Sequence, residues 1–270
     1  MILHTICDNL EGMKLICPIC RAALHQEGNS LCCANHHCFD IARQGYVNLD
    51  PAYRKERGDN REMVLARTSF LSSGAYSFLK NELSEMIRER SPEVLADLGC
   101  GEGYYTSSFP APEKYGFDLS RDALKHAAKH DSSTRYVISS IFHLPLAEES
   151  CDLAITCFAP AAEEEIVRIL KPGGYFLYVI PGRNHLQELK EVLYEHPYEN
   201  EEAPLKTQMK LIREQHLSNH FEADQEMLKN LFQMTPYAYR TGEAGKKKLE
   251  AVSFLTCTAE FVIRCYQKNS

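Results

Sequence analysis

Two stretches of this chain place reactive residue types at spacings that matter. The first is Cys17-Pro18-Ile19-Cys20, a C-x2-C knuckle. Twelve residues intervene before Cys33, and three more separate Cys33 from His37. Thiolates and imidazoles are the ligands that tetrahedral zinc prefers. Three of one and one of the other fill all four positions, so Cys17, Cys20, Cys33 and His37 describe a closed, structural site. Cys32, His36 and Cys38 flank the second pair, and spacing alone leaves a Cys33/Cys38 pair open. The second stretch is Asp97-Leu98-Gly99-Cys100-Gly101-Glu102-Gly103. Glycines at the end of a strand let the backbone approach a ligand closely. The spacing is G-x-G-x-G, without the third-glycine spacing of the pyrophosphate fingerprint and without the lysine of a P-loop. A ligand without phosphates suits it better.

The elements around these stretches follow from apolar periodicity. Residues 15–50 are dense in Cys, His, Gly and Asn and read as short strands joined by turns. A module of this size buries too little core to fold alone, so the metal supplies its folding energy. Pro51 to Asn60 (PAYRKERGDN) reads as a linker. Arg61 to about Ser73 and Tyr76 to Arg90 carry helical patterns, with Phe78, Leu79, Leu83, Met86 and Ile87 on one face of the second. VLADL (94–98) is an apolar run that stops at Gly99, and the glycine-rich loop is expected to open a helix. YGFDL (115–119), RYVISS (135–140), CDLAITCF (151–158) and YFLYVIP (175–181) read as further strands. Helices 122–129, 162–170 and 185–194 alternate with them, and KPGG (171–174) reads as a helix stop. Strand and helix in alternation with short links mean a parallel, doubly wound sheet. Residues 209–216 and 252–266 read as late strands, with a helix over 225–232 between them. The expected division is 13–50, 51–90 (linker and covering helices) and 91–270.

Composition narrows the class. No apolar run reaches the ~18 residues that cross a bilayer, and Met1 to Met13 lacks the basic start and apolar stretch of a signal peptide. A cytoplasmic location without membrane is expected. Of eleven cysteines, six lie before residue 40. In a reducing compartment that cluster reads as metal-binding rather than as a disulfide framework. Cys7 and His25 read as bystanders, and Cys151, Cys157, Cys257 and Cys265 as small core residues. The net charge of −7 excludes a generally basic surface. Residues 13–67 nevertheless hold eight Lys/Arg against six Asp/Glu.

The glycine-rich stretch resembles motif I of class I methyltransferases, which bind S-adenosylmethionine. Three further features come in that family's order. They are Asp118 at the end of the second strand, Ser139-Ser140 followed by Leu144-Pro145 after the third, and Leu170-Lys171-Pro172-Gly173-Gly174 before the fifth. The fold implied is Rossmann-like, α/β, a mostly parallel seven-stranded sheet, here with a small N-terminal zinc-ribbon-like β module. Many relatives have an acid where this chain has Ser140. Asp97 also reads as a cap for the following helix.

The combination resembles a narrower family, the 23S ribosomal RNA guanine-N1-methyltransferases. The likeness runs from Cys17 through Phe39-Asp40-Ile41-Ala42 and Gly45-Tyr46-Val47-Asn48-Leu49 to DLGCGEGYY (97–105). It continues in Phe158-Ala159-Pro160, Pro181-Gly182-Arg183-Asn184-His185-Leu186 and Gln233-Met234-Thr235-Pro236. The family's ligand spacing favours His37 over Cys38. The resemblance implies that Asp97, Gly99, Gly101, Gly103 and Tyr104 lie against the methionine part of the cofactor. It implies that Asp118 holds the ribose and Ser140 sits near the adenine. Tyr76 and His185 would border the pocket, although on the residues alone they read as a core aromatic and a helix-start histidine. It also implies a homodimer and a hairpin of 23S rRNA as substrate.

In the chemistry implied, guanine N1 loses a proton as it attacks the sulfonium methyl, so a base or a water path helps. Phe158 and Pro160 are placed to meet the target base, and Phe158 equally reads as a rim hydrophobe. Glu163, Glu164 and Glu165 are bases by location only, and a helix start favours acids anyway. No base is assigned. Two other readings carry the same motifs: a small-molecule methyltransferase, such as one acting on a quinone, and a non-enzymatic, zinc-dependent RNA-binding protein.

Overall fold

The computed structural model describes residues 13–53 and 58–270. Cys7 and the linker residues 54–57 lie outside the described residues. The N-terminal module is an antiparallel sheet of β1 (Leu24–Glu27), β2 (Ser30–Cys33) and β3 (Cys38–Asp40). Gly28 and Asn29 join β1 to β2, and Gly28 takes the positive φ (59°) that a two-residue hairpin turn requires. β4 (Val47–Asn48) follows.

The rest of the chain runs α1 (Arg61–Ser72), α2 (Ser77–Arg90), β5 (Val94–Leu98), β6 (Glu113–Asp118), α3 (Arg121–His130), β7 (Thr134–Ile138), β8 (Cys151–Cys157), α4 (Glu163–Ile169), β9 (Leu170–Pro181), α5 (Gln187–Leu193), β10 (Lys210–Asp224), α6 (Gln225–Met234), α7 (Tyr237–Arg240), α8 (Glu243–Glu250) and β11 (Phe254–Gln267). The sheet order is β10-β11-β9-β8-β5-β6-β7-β4. Strands β4 to β9 are parallel, and β11 is antiparallel to both β9 and β10. Seven strands belong to the expected sheet. The eighth is β4, added beside β7 by the N-terminal module.

The small module has no separate core. Ile16 N donates to Pro145 O (2.9 Å) and Lys14 N donates to Tyr115 Oη (2.8 Å). Leu15, Leu24 and Leu31 are buried in one cluster with Phe117, Val137, Leu144 and Leu146. The other face of the sheet is covered by α1, α2, α5 and α6, through Phe70, Leu83, Leu189 and Leu231. Cys151, Cys257 and Cys265 are fully buried core residues, and Cys157 is partly buried.

Three sequence expectations fail. The glycine-rich loop opens only a 3-10 turn (Thr106–Ser108), not a full helix. The helix does stop before KPGG, at Ile169, but the next strand begins at Leu170 rather than at Tyr175. Leu170 already pairs with Cys151, and the KPGG residues bulge out before Tyr175 re-pairs with Leu153. In the last third, β10 runs on to Asp224 and the chain adds α7 and α8. β10 is an edge strand exposed along most of its length, so its apolar residues need not alternate.

Candidate active site and metal centre

The metal centre is assembled by two tight turns. Cys17 N donates to Ala22 O and Arg21 N donates to Cys17 O (both 2.8 Å), which folds the knuckle back on itself. Cys33 N donates to His37 O (3.0 Å) and His36 N donates to Cys33 O (2.9 Å), which closes the second pair at the end of β2. One ligand atom from each of Cys17, Cys20, Cys33 and His37 lies within 4.8 Å of all the others. Cys20 Sγ is 3.7 Å from Cys33 Sγ, and His37 Nδ1 is 3.5 Å from the sulfurs of Cys17 and Cys33. A tetrahedral metal at about 2.3 Å from each sulfur holds the sulfurs about 3.7 Å apart, so the donor set fits zinc. The Ala22 backbone amide draws the Cys20 thiol down to about 6, favouring the thiolate that a metal binds. Cys38 is joined to Cys32 as a disulfide across β2 and β3, with Cα atoms 4.2 Å apart. That pairing takes Cys38 out of the metal set and adds one disulfide to a cluster expected to bind metal rather than to form a disulfide framework.

The second site lies at the C-terminal ends of β5, β6, β7 and β8. Gly99, Gly101 and Gly103 all adopt positive φ. At Gly99 the need is steric as well, since a Cβ there would sit 2.5 Å from the Ala159 Cβ at the end of β8. Four carboxylates gather around this loop. Asp97 is buried, and its Oδ2 accepts a 2.5 Å bond from Thr106 Oγ1 on the 3-10 turn, while Oδ1 has no partner. Asp97 does not cap a helix as expected: the 3-10 turn starts after Tyr105 with no side-chain cap, and Asp97 meets it only through the Thr106 hydroxyl. Burial, with Asp118 and Glu102 nearby, pushes its carboxyl up to about 7. Asp118 ends β6. Its Oδ2 accepts from Gly101 N (3.0 Å) and its Oδ1 from Ser120 N (2.7 Å). Each oxygen keeps a second lone pair. Glu102 is buried with Oε2 unbonded, and burial raises its pKa also.

The fourth carboxylate, Asp59, and the one guanidinium of the cluster, Arg67, were invisible in the sequence. Arg67 on α1 pairs with Asp59, and its Nη1 lies 3.6 Å from Glu102 Oε2. Ser120 Oγ donates to Asp59 O (2.6 Å), which ties the start of α1 over the Asp118 turn. An arginine in a helix and an aspartate in a polar linker read as solvated surface. No local spacing signals that they meet the glycine-rich loop.

The remaining expected residues surround this cluster. Tyr104 stacks edge-on against Tyr105, with Lys80 Nζ 4.4 Å above its ring. Ser140 Oγ accepts from Phe142 N (3.3 Å) in the turn after β7. Phe158 stands in a left-handed backbone conformation (φ 63°), 43% exposed, and Pro160 beside it is exposed. Such strain in a non-glycine residue collects at functional positions. A row of rings leads inward from Phe158 to Phe261 (5.4 Å), and from Phe261 to His185 (4.8 Å) and Tyr76 (4.9 Å). His185 Nδ1 accepts from Glu260 N (3.2 Å), so Nε2 carries the proton and donates to Tyr76 Oη, 3.2 Å away. Burial lowers His185 to about 3 and keeps it neutral. Among the three acids of α4, Glu165 is held by Arg168 and Leu144 N, and Glu163 accepts from Thr207 Oγ1. Glu164 is exposed.

The residues fit S-adenosylmethionine. Four carboxylates face one guanidinium, and an unpartnered oxygen of Asp97 awaits a donor. A cationic ligand without phosphates satisfies both features, and this cofactor carries a sulfonium and an ammonium.

Comparison with known proteins agrees. Residues 15–57 match the family described as RlmA, N-terminal, a zinc ribbon, and residues 96–178 match a methyltransferase domain. A 23S rRNA (guanine(748)-N(1))-methyltransferase of Streptomyces fradiae is 36% identical over 188 residues, covering 66% of this chain and 67% of that protein. A protein of Micromonospora griseorubida described as a 23S rRNA (guanine-N1)-methyltransferase is 33% identical, covering 66% of this chain and 69% of that one. A malonyl-[acyl-carrier protein] O-methyltransferase of Hahella chejuensis shares 29% identity over only 50% of this chain and 55% of its own length. The chain belongs to the 23S rRNA (guanine-N1)-methyltransferase family of class I, S-adenosylmethionine-dependent enzymes.

Proposed function

We propose that this chain transfers a methyl group from S-adenosylmethionine to N1 of a guanine in a 23S rRNA hairpin. The observation that supports this most is that the zinc module and the acidic loop cluster belong to one sheet, which the module extends at β7. β4 pairs with β7, whose end carries Ser140, and Ile16 bonds to Pro145 five residues further on. A module fixed there offers a substrate-reading surface joined rigidly to the cofactor-binding sheet.

When bound, the cofactor supplies an electrophilic methyl on its sulfonium. Asp97 Oδ1 takes the ammonium, and Asp118 accepts from the ribose hydroxyls. The backbone at Gly99, Gly101 and Gly103, with Tyr104, holds the methionine part, and Ser140 borders the adenine. Tyr76 and His185 close the pocket from within. Phe158 and Pro160 receive the guanine, which leaves its base pair to be reached. Cys17, Cys20, Cys33 and His37 hold zinc and thereby the shape of the reading surface. The protein acts as a homodimer in the cytoplasm, with residues 13–50 as the metal module, 51–90 as linker and cover and 91–270 as the catalytic unit.

Radiolabelled methyl transfer to 23S rRNA from cells lacking the mark tests this. Label in the RNA, with a reverse-transcriptase stop at one guanine, is expected, because N1-methylguanine cannot pair. Transfer to a quinone or another small molecule, with none to RNA, overturns it. No helix among the described residues is long and apolar enough to cross a membrane.

A further inference from the structure

One part of the fold has no place in the scheme so far. Between β10 and β11 the chain inserts α6, α7 and α8. Asp224 ends β10 opposite Phe254, which begins β11. β10 and β11 are antiparallel, and β11 is antiparallel to β9, so β10 runs in the direction of β9 and β8. Both ends of the insertion therefore leave the sheet at the same edge as the glycine-rich loop.

Contacts carry the insertion toward that loop. Tyr239 Oη on α7 meets Met63 Sδ on α1 (2.7 Å), and Arg67, one helical turn further, donates to Met234 O (3.4 Å) while it reaches Glu102. Yet the outer side of Tyr239 has no cover: it is 70% exposed, the most exposed of the large hydrophobic residues described. Arg240 beside it in the chain, and Lys247 and Lys248 on α8 of the same insertion, are exposed too. Among the described residues only Lys246 of this group has an ion-pair partner, Glu243. Residues 225–253 hold five Lys/Arg against three Asp/Glu in a chain of net charge −7. An exposed aromatic ring and unpaired cations on one insertion of an otherwise acidic protein match the chemistry of a nucleic-acid strand, whose bases stack and whose phosphates attract cations.

We propose that the α7–α8 insertion is a second RNA-binding surface, which stacks an unpaired base of the substrate on Tyr239 and holds the adjoining phosphates with Arg240, Lys247 and Lys248. It grips the RNA across the cleft from the zinc module. The inference rests on the proposed RNA substrate.

The test is fluorescence anisotropy of an in vitro transcribed 23S rRNA hairpin, titrated with the full-length zinc-loaded protein at several salt concentrations. Y239A is expected to weaken RNA binding roughly tenfold. K247E/K248E is expected to weaken it and to flatten the slope of log K against log salt by about one to two. Both are expected to bind S-adenosylmethionine in calorimetry like the parent, which also shows that they fold. The control R88E/R135E makes the same charge change where α2 ends and β7 begins, at the opposite edge of the sheet, and is expected to bind RNA like the parent. A parent that binds RNA alongside K247E/K248E with equal affinity and slope overturns the inference alone. A parent that binds no RNA overturns the proposed substrate first. Variants that keep RNA affinity but change the sedimentation of the protein assign the surface to a second copy of the chain, and that also overturns it.

Discussion

The metal centre and the acidic loop cluster are built in opposite ways. In the metal centre every donor lies within 21 consecutive residues, from Cys17 to His37, and the four ligand atoms already stand within 4.8 Å of one another. In the loop cluster the groups come from residues 59, 67, 97, 102 and 118, and two carboxylate oxygens are buried without a hydrogen-bond partner. The first site is a finished frame. The second is poised for a ligand that it lacks the charge to replace. The difference teaches that a structural metal can be local because it must form early and hold. A cofactor site must be distributed because its ligand comes and goes between elements that are stable without it.

The largest expected effect comes from breaking the finished frame. Removing zinc with a chelator, or substituting Cys17→Ser, should unfold residues 13–50, because metal binding is worth on the order of 10 kcal/mol to modules of this size. The loss should spread, since Leu15, Leu24 and Leu31 share a core with Phe117 and Leu144. Thermal unfolding followed by circular dichroism, with zinc measured by atomic absorption, checks this. A chelated protein with an unchanged melting temperature would show that the frame stands without metal.

Asp118→Ala strikes the distributed site. It removes a carboxylate that orients Gly101 and Ser120 and is placed to accept from a ribose. A charge-assisted bond of this kind is worth about 2 kcal/mol, or roughly 30-fold in cofactor affinity. Calorimetry with S-adenosylmethionine reads it directly, and an affinity equal to that of the parent would move the ribose elsewhere.

The same contrast explains what was legible in the sequence. C-x2-C with a second pair, and D-L-G-C-G-E-G after an apolar strand, are short-range patterns, so their residues and their chemistry could be read directly. The doubly wound order was legible because each strand and helix carries its own periodicity. Asp59 and Arg67 were not, because each meets the loop only after α1 folds across it. The KPGG bulge in β9 and the 3-10 turn after Gly103 hid behind motifs whose usual neighbours are helices. α7 and α8 carry few apolar residues and bury only Tyr237, Gly245 and Leu249. Periodicity had little to register there.

Proton linkage sharpens the comparison, because only the loop cluster holds a buried acid near neutrality. Asp97 stands at about 7 against an ordinary 3.8. Folding therefore favours its protonated form. The cost of ionising it in the empty site is absent below about pH 4 and fully present above pH 7. An ammonium on Oδ1 offsets that cost. S-adenosylmethionine affinity should therefore fall as pH drops from 8 to 6, approaching tenfold per unit below pH 7. The gain in melting temperature on binding should be larger at pH 8 than at pH 6. In Asp97→Asn both trends should vanish with overall weaker binding, whereas a parent affinity flat across this range would deny the ammonium its place.

The smallest effect belongs to the one pair that is finished yet sits behind the cofactor site. Tyr76→Phe keeps the ring among Phe70, Phe221 and Phe261 and removes only the acceptor of the His185 Nε2 proton. A buried donor left without a partner costs about 1–2 kcal/mol. His185 is neutral at all working pH values, since its pKa lies near 3. The stability lost should thus be the same at pH 6 and pH 8, unlike the Asp97 trend. Cofactor affinity should fall only a few-fold, because the ring that closes the pocket remains. A loss as large as that of Asp118→Ala, with little change in unfolding, would make the Tyr76 hydroxyl a direct ligand and draw the pair into the distributed site.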